Sequence, residues 1–527
     1  MTSRRNFIQM LSGSLAGLAV PGVAGSGGLS ALGAVSAVGA LGVSGAAEAA
    51  GAPLTIAFPT DVPSWDPLVR VAPNPISIYR SVFDAPIDID EKGVLRPGVV
   101  TAWRWKDTDG KVLELDLRSD VLFHNGDKLT SDDFKFTFFD RLQADKSLQV
   151  GGIWWALVGI DTPSPTRVVM HFKAPMVTAP AFLGYMGGYL LPRKYFEQVG
   201  SAGFIAKPIG SGPYRLVDYQ RDSRITLSAF DRHWRGQAKV RDVVFQVVKD
   251  PTSRVSAVQA GQADVSGMLP LRETVRLGQS GGLGSKITPT IDSYLIHMVN
   301  DGPTKDRNVR LAMHHAIDKQ ALTRAFFNSV PAPMATPAAP GTPAFDPDFK
   351  FAYDPAQAQQ LLAASGYSKD KPVRVKFLAT NGVYPSDYDM ARAIVQMWKK
   401  VGIEAELTPI ETAQFFTQAV AGTLPGPTLW MWQNGSGDPE LSAGSYLNPK
   451  TGFSVWRSPD VSPRLDPLLV QLDETKRIAG YKEFHRWAVG EGYAVPLMQG
   501  IATAAYRKNI GYTPFSSGWM LPDYWSV

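Results

Sequence analysis

The sequence contains no cysteine, so no disulfide can staple the chain and its stability must come from a buried apolar core. The same absence removes the thiol that a bacterial lipid anchor would acylate beside an export cleavage site. Charge is also sparse. Asp, Glu, Lys and Arg make up 19% of the residues, the formal net charge is +5, and the basic residues form no dense stripe. That distribution excludes a nucleic-acid partner. Histidine occurs seven times and never as H-E-x-x-H. His314 and His315 are neighbours on an expected helix, where their side chains diverge by about 100°, so they read as packing or surface residues and not as a metal pair. Phosphate-loop and dinucleotide glycine motifs are missing as well.

Two short matches to catalytic motifs fail on context. Gly278-Gln279-Ser280-Gly281-Gly282 fits G-x-S-x-G, but a nucleophile elbow needs a buried strand before the serine and a helix after it. Here the polar run Arg272–Arg276 precedes the match and further glycine follows it. Ser368 and Lys371 fit S-x-x-K inside a polar loop, where no helix holds the amine against the hydroxyl. With no nucleophile, base and oxyanion hole together, no catalytic residue, cofactor or metal site is assigned, and the chain is read as not an enzyme.

What is present is a chain of 527 residues, 44% of them hydrophobic, enough for two or three domains with large cores. The first fifty residues stand apart. Ser3-Arg4-Arg5-Asn6-Phe7-Ile8-Gln9 is a twin-arginine pattern, an Ala/Gly/Ser-rich stretch follows, and Ala47-Glu48-Ala49 supplies a small-x-small cleavage signature. So much glycine and serine partitions poorly into lipid, so a cleaved export signal over residues 1–49 is expected in preference to a membrane anchor. The mature protein is then expected to be periplasmic and free of any lipid anchor.

Two kinds of unit follow. One is β-rich. Trp103 and Trp105 alternate with polar residues, Asp109-Gly110 is a turn dipeptide, and Leu113, Leu115 and Leu117 line one face, which predicts a hairpin. Ser131 is placed to cap a short helix, and 167–172, 224–230 and 243–248 are further strands. The other unit is α/β. Val309, Met313, Ile317 and Ala321 recur every fourth residue as one helical stripe. Asp354-Pro355 opens a helix that Gly366 ends. Val373, Val375 and Phe377 alternate as a strand, Ser386 caps a helix closed by Gly402, and Ile403, Ala405 and Leu407 form the next strand, a βαβ unit. The stretch from Val330 to Pro347 is expected to be an ordered surface loop or crossover.

Several segments, in order, carry a resemblance. "WRWKDTDGKVLELDLRSDVLFHNGDKLTSDDFKFTF" (103–138), "PIGSGPYRL" (208–216) with "HW" at 233–234, "AVQAGQADV" (257–265), "NVRLAMHHAIDKQAL" (308–322), "YDPAQAQQLLAASGY" (353–367) and "AVPLM" (494–498) resemble the family 5 periplasmic solute-binding proteins of ABC importers. The resemblance extends over essentially all of residues 51–527. It implies a mixed α/β (α+β) two-lobe periplasmic-binding-protein fold with an extra small domain. Lobe I would comprise 51–85, 206–292 and 500–527, the extra domain 86–205, and lobe II 293–499. The chain would cross between lobes near Tyr294 and near Gln499, and closure about that hinge would enclose the ligand. Gly210 and Gly212 are expected to hold the fold by allowing a tight turn.

The candidate site centres on "LWMWQNGSGDP" (429–439). In peptide-binding members of the family this stretch reaches into the cleft and places an aspartate, three residues before the Asp-Pro pair, on the peptide's α-amino group. The equivalent position here is Gly435, and Asp438 is expected to brace the loop. Neutral amides at Gln433 and Asn434 beside Trp430 and Trp432 suit a solute with a flat apolar or sugar-like surface and hydrogen-bonding groups. Alternation along a strand sends both tryptophans to one face, either toward the cleft or into the lobe II core. Thr60 and Asp61, in the first cleft loop of lobe I, Tyr294 at the hinge, and Asn381 and Tyr384 after the Val373 strand complete the candidate wall, with Asp61 a possible substitute amine anchor.

The expected function is capture of a small or modified peptide-like solute and its delivery to an inner-membrane ABC permease, by a protein acting as a monomer. A sugar derivative, an opine-like conjugate or a metal chelate are alternative solutes. A periplasmic hydrolase, or an interaction protein with exposed aromatic patches, are rivals from other classes.

Overall fold

The computed structural model describes residues 52–71, 74–451 and 454–527. The export-signal expectation lies outside the described residues. Sixteen strands are described: β1 (Leu54–Phe58), β2 (Asp88–Ile89), β3 (Leu95–Arg96), β4 (Val100–Trp105), β5 (Val112–Leu117), β6 (Leu157–Ser164), β7 (Arg167–Phe172), β8 (Tyr214–Gln220), β9 (Arg224–Ala229), β10 (Asp242–Val247), β11 (Val265–Gly267), β12 (Leu283–His297), β13 (Val373–Ala379), β14 (Ile403–Pro409), β15 (Thr428–Trp432) and β16 (Ala494–Arg507). Ten of them make one continuous mixed sheet in the order β14-β13-β15-β12-β16-β11-β1-β10-β9-β8, and β4-β5-β7-β6 form a separate antiparallel sheet.

Two large apolar cores lie along this sheet. One gathers residues from Leu54 to Val265 and returns at Ile510–Trp525; the other runs from Leu271 to Ile501. Only β12 and β16 carry the ladder from one to the other. β16 meets β11 at Tyr506, β12 meets β15 at Ser293–His297, and the two long strands pair with each other antiparallel. Their register breaks in the middle. Pro289 pairs with Ile501 and Ser293 with Gln499, so Thr290, Ile291 and Asp292 stand opposite Gly500 alone. Extra residues on one strand bend it and leave polar groups unpaired, which suits a hinge. The Val330–Pro347 stretch braces this point. An ordered surface loop or crossover was expected there; Met334, Ala338, Ala339 and Ala344 are buried. Ser293 Oγ donates to Pro337 O at 2.9 Å, and Gln499 Nε2 donates to Pro340 O at 3.3 Å.

The local pattern explains most elements. β13 and β14 pair in parallel from Val373–Ile403 to Ala379–Pro409, with the Asp387–Val401 helix between them ended by left-handed Gly402 (φ +97°). Three expectations are corrected. The stripe from Val309 to Ala321 belongs to two helices, Arg307–His315 and Lys319–Phe327, because Asp318 accepts the Ala321 N–H and starts a new helix. Thr130, not Ser131, caps the Ser131–Lys135 helix, in a reciprocal box with Asp133. Ser386 occupies the cap position in a left-handed conformation (φ 57°) without a capping bond, and Asp387 instead gathers the Gly382, Val383 and Tyr384 N–H groups.

Gly210 and Gly212 are needed for close approach, not for a special dihedral, since neither has positive φ. A Cβ on Gly210 would lie 2.0 Å from Val82 O, and one on Gly212 would lie 2.6 Å from Val82 C. Gly210→Ala is therefore expected to destabilise the protein by about 2 kcal/mol or more, read as a fall in the urea midpoint; an unchanged midpoint contradicts this packing.

Candidate functional site

The two cores face each other across a cavity of about 2690 Å³. Ligand pockets for small molecules are roughly 300–1,000 Å³, so this space admits a solute of several residues. One wall is the C-terminal end of β15 and the loop after it. Trp430 is 3% exposed, stacks on Phe415 (centroids 4.1 Å apart, 15° between planes) and takes the edge of Tyr384 at 5.5 Å. Trp432 donates its indole N–H to Leu441 O at 2.6 Å and packs against Tyr446 and His297. Both indoles therefore line the cavity and belong to the second core at once. Thr60, Tyr384 and Gln433 share the wall, and Gln433 is exposed.

The remaining candidates turn elsewhere. Asn434 is 2% exposed and its amide is consumed inside the loop: Nδ2 donates to Asp438 O (2.9 Å) and Ser442 Oγ (3.0 Å), and Oδ1 accepts from Ser436. Asp61 accepts from Tyr219 Oη at 2.9 Å and the Asp222 N–H at 2.7 Å, so its carboxylate is tied to the β8–β9 hairpin, and it is not part of the cavity lining. Tyr294 is wholly buried and donates to Pro385 O at 2.8 Å, beneath the wall. Asn381 is exposed, outside the cavity lining. Asp438 forms a two-pronged ion pair with Arg477 (2.8 and 2.9 Å), which fixes the loop.

Gly435 has a steric reason. A Cβ there would lie 2.4 Å from Cε2 of Tyr185, whose ring comes from the opposite half of the molecule. Tyr185 stacks on Trp519 (25° between planes), and Leu441 from the second half packs into the same cluster, so the halves are in contact. The space an aspartate side chain would need is filled by this phenol.

Sequence reasoning missed an acid that lines the cavity. Asp292, in the β12 irregularity, is 7% exposed and accepts the Asn434 N–H at 3.0 Å. Burial pushes its carboxyl up to about 7, with only the Asn434 and Thr290 hydrogen bonds opposing. The signal available was one acid in the otherwise uncharged, largely apolar "TIDSYLIHM" run, which also holds Thr290, Ser293 and His297. Glu440 also lines the cavity, and burial with the nearby Asp438 raises it to about 7 against the pull of Arg477. Tyr185 and Tyr384 are raised by burial and by the Asp292 charge.

Because Trp432 is both wall and core, Trp432→Ala is expected to cost about 3 kcal/mol of unfolding free energy in the empty protein, whereas Gln433→Ala changes it by less than about 0.5 kcal/mol; equal chemical-denaturation curves for the two variants refute the assignment. Asp292 titrates higher in the folded protein than in the unfolded chain. Its contribution to stability is thus complete below about pH 4 and is lost as pH rises through about 7. Asp292→Asn removes that loss, so its stability relative to the parent should improve by about 2 kcal/mol between pH 5 and pH 8; a pH-independent difference contradicts a buried titrating acid.

Among the described residues, no helix is long and apolar enough to cross a membrane. The chain is 25% identical over 417 residues to the dipeptide-binding protein of Escherichia coli (strain K12), covering 73% of this chain and 77% of that protein. It is 25% identical over 465 residues to the glutathione-binding protein GsiB of Salmonella paratyphi A, covering 85% and 87%. The fold matches NikA from Brucella suis in complex with Fe(III)-EDTA with a TM-score of 0.80 at 21% identity, over 90% of this chain and 99% of that one. Residues 94–454 match the description "Bacterial extracellular solute-binding proteins, family 5 Middle", and the chain belongs to the bacterial extracellular solute-binding proteins of family 5.

Proposed function

We propose that the protein is an exported, non-enzymatic receptor of an ABC importer that encloses a small or modified peptide-like solute between its lobes and presents it to the permease. The observation that carries this reading is the cavity between two separate cores that only β12 and β16 connect through the main sheet. Two bodies on a two-strand hinge open and close with little loss of internal packing. A solute touching both lobes stabilises the closed state by its differential affinity, and the permease reads closure as occupancy. Lobe I is taken as 51–85, 206–292 and 500–527, the extra domain as 86–205, and lobe II as 293–499.

Thr60, Tyr384, Trp430, Trp432 and Gln433 are the proposed contacts. Aromatic faces supply apolar area at low rotamer cost, and polar groups orient the solute. The hydroxyls of Thr60, Ser445 and Ser517 favour a solute rich in amide groups, because all three residues line the cavity and their buried hydroxyl oxygens have no hydrogen-bond partner among the described residues. Two of the relatives' names support this chemistry, since dipeptides and glutathione both carry peptide bonds and free amines.

The protein recovered from its native periplasm, denatured and extracted, should release a peptide-like molecule identifiable by mass spectrometry. Returning that molecule to the refolded protein should raise the melting temperature. Recovery of a sugar conjugate or metal chelate instead selects the alternative solute class, and hydrolysis of the returned molecule supports an enzyme.

A further inference from the structure

We propose that Asp292 is the charged anchor of the binding site and holds a primary ammonium group of the solute at the floor of the cavity, where the two hinge strands part. This assignment rests on the peptide-like reading above and gives that site its charge specificity.

Three observations converge on the residue. Asp292 lines the cavity and is more than nine-tenths buried, so its carboxylate, when ionised, faces enclosed space and not bulk water. Its protein partners are neutral: the Asn434 N–H at 3.0 Å and, at a long 3.4 Å, Thr290 Oγ1. Among the described residues, no lysine, arginine or histidine contributes to its electrostatic environment. The titratable groups that face it are phenols: Tyr185 from the opposite half, Tyr384 from the loop after β13, and Tyr294 from its own strand. Tyr294 is already committed to Pro385 O.

A carboxylate offers about four acceptor positions, and a buried one without a counter-ion is costly. A solute ammonium brings the missing charge and three N–H donors to that vacancy, with hydrogen bonds stronger than those between neutral groups. The position also follows from Tyr185. Its ring covers Gly435 and closes the loop to any side chain there, so an anchoring acid must come from another element. Asp292 is hydrogen-bonded to the residue just before Gly435 and therefore sits beside the blocked position. Because the carboxyl of the empty site titrates near neutrality, docking an ammonium drives its proton to solvent. Binding near pH 6.5 then releases a proton.

The test uses the mature protein freed of bound solute, with pools of dipeptides and tripeptides in free and N-acetylated forms, selected by affinity and followed by calorimetry on the best binder. The free-amine peptide is expected to bind at least about tenfold more tightly than its acetylated counterpart. At pH 6.5, titrations in two buffers of different ionisation enthalpy should register proton release. Asp292→Asn should reduce the free peptide to the acetylated level and abolish the release, while its melting temperature at pH 8 is no lower than that of the parent. Equal binding of free and acetylated peptides by the parent keeps the peptide reading and overturns the role of Asp292, with no need of a variant. Retention of the preference by Asp292→Asn overturns it too. If neither pool yields a binder, the peptide reading fails and the anchor fails with it.

Discussion

The pairing of β12 with β16 is the constraint on which the rest depends. These strands run fifteen and fourteen residues and, among the described residues, they alone link the strands of one core to those of the other in the main sheet. An unbroken ladder of that length would weld the halves into one body. The irregularity at Thr290–Asp292 instead removes ladder bonds midway along the pair, which suits a hinge, and Thr290 and Asp292 line the cavity there. On the proposed reading the hinge and the binding floor share Thr290 and Asp292, so a solute that touches the floor would act directly on the element that sets opening and closing.

The wall around that floor is rigid by construction. Trp430 and Trp432 are held from behind by Phe415, Tyr446 and His297, and the loop after them is tied by the Asp438–Arg477 pair and by the Asn434 amide. A buried, doubly bonded arginine–carboxylate pair fixes geometry more than it adds stability. On the proposed reading, fixed aromatic faces would lose little entropy when a solute docks, leaving lobe movement as the main conformational change. Tyr185 completes the arrangement by crossing from the other half to seal the loop at Gly435.

What the sequence revealed, and what it hid, follows from the range of the interactions. The βαβ unit of β13 and β14 was legible because alternation, a glycine stop and an intervening apolar stripe are all local. The fold class was legible through six segments in register along the chain. Asn434 was misread because its donors are spent on Asp438 and Ser442, a pairing that depends on how the loop curls back. Asp61 was misread because Tyr219 and Asp222, more than 150 positions away, capture its carboxylate. Asp292 was passed over because a lone acid in an apolar strand is intelligible only once the partner strand is seen to skip it. Each error concerns which face a side chain presents, and tertiary contacts decide that.

The absence of cysteine gives the central claim of closure on a solute a clean test, because introduced thiols are the only sites that label. Lys194→Cys and Lys476→Cys, at strongly exposed positions on opposite halves, would carry a spin-label pair for distance measurement by pulsed electron resonance. The account predicts a single short separation in the protein as isolated with its solute, a longer separation after denaturation, washing and refolding, and a return to the short one when the extracted solute is added back. The same distance distribution in all three states would contradict it.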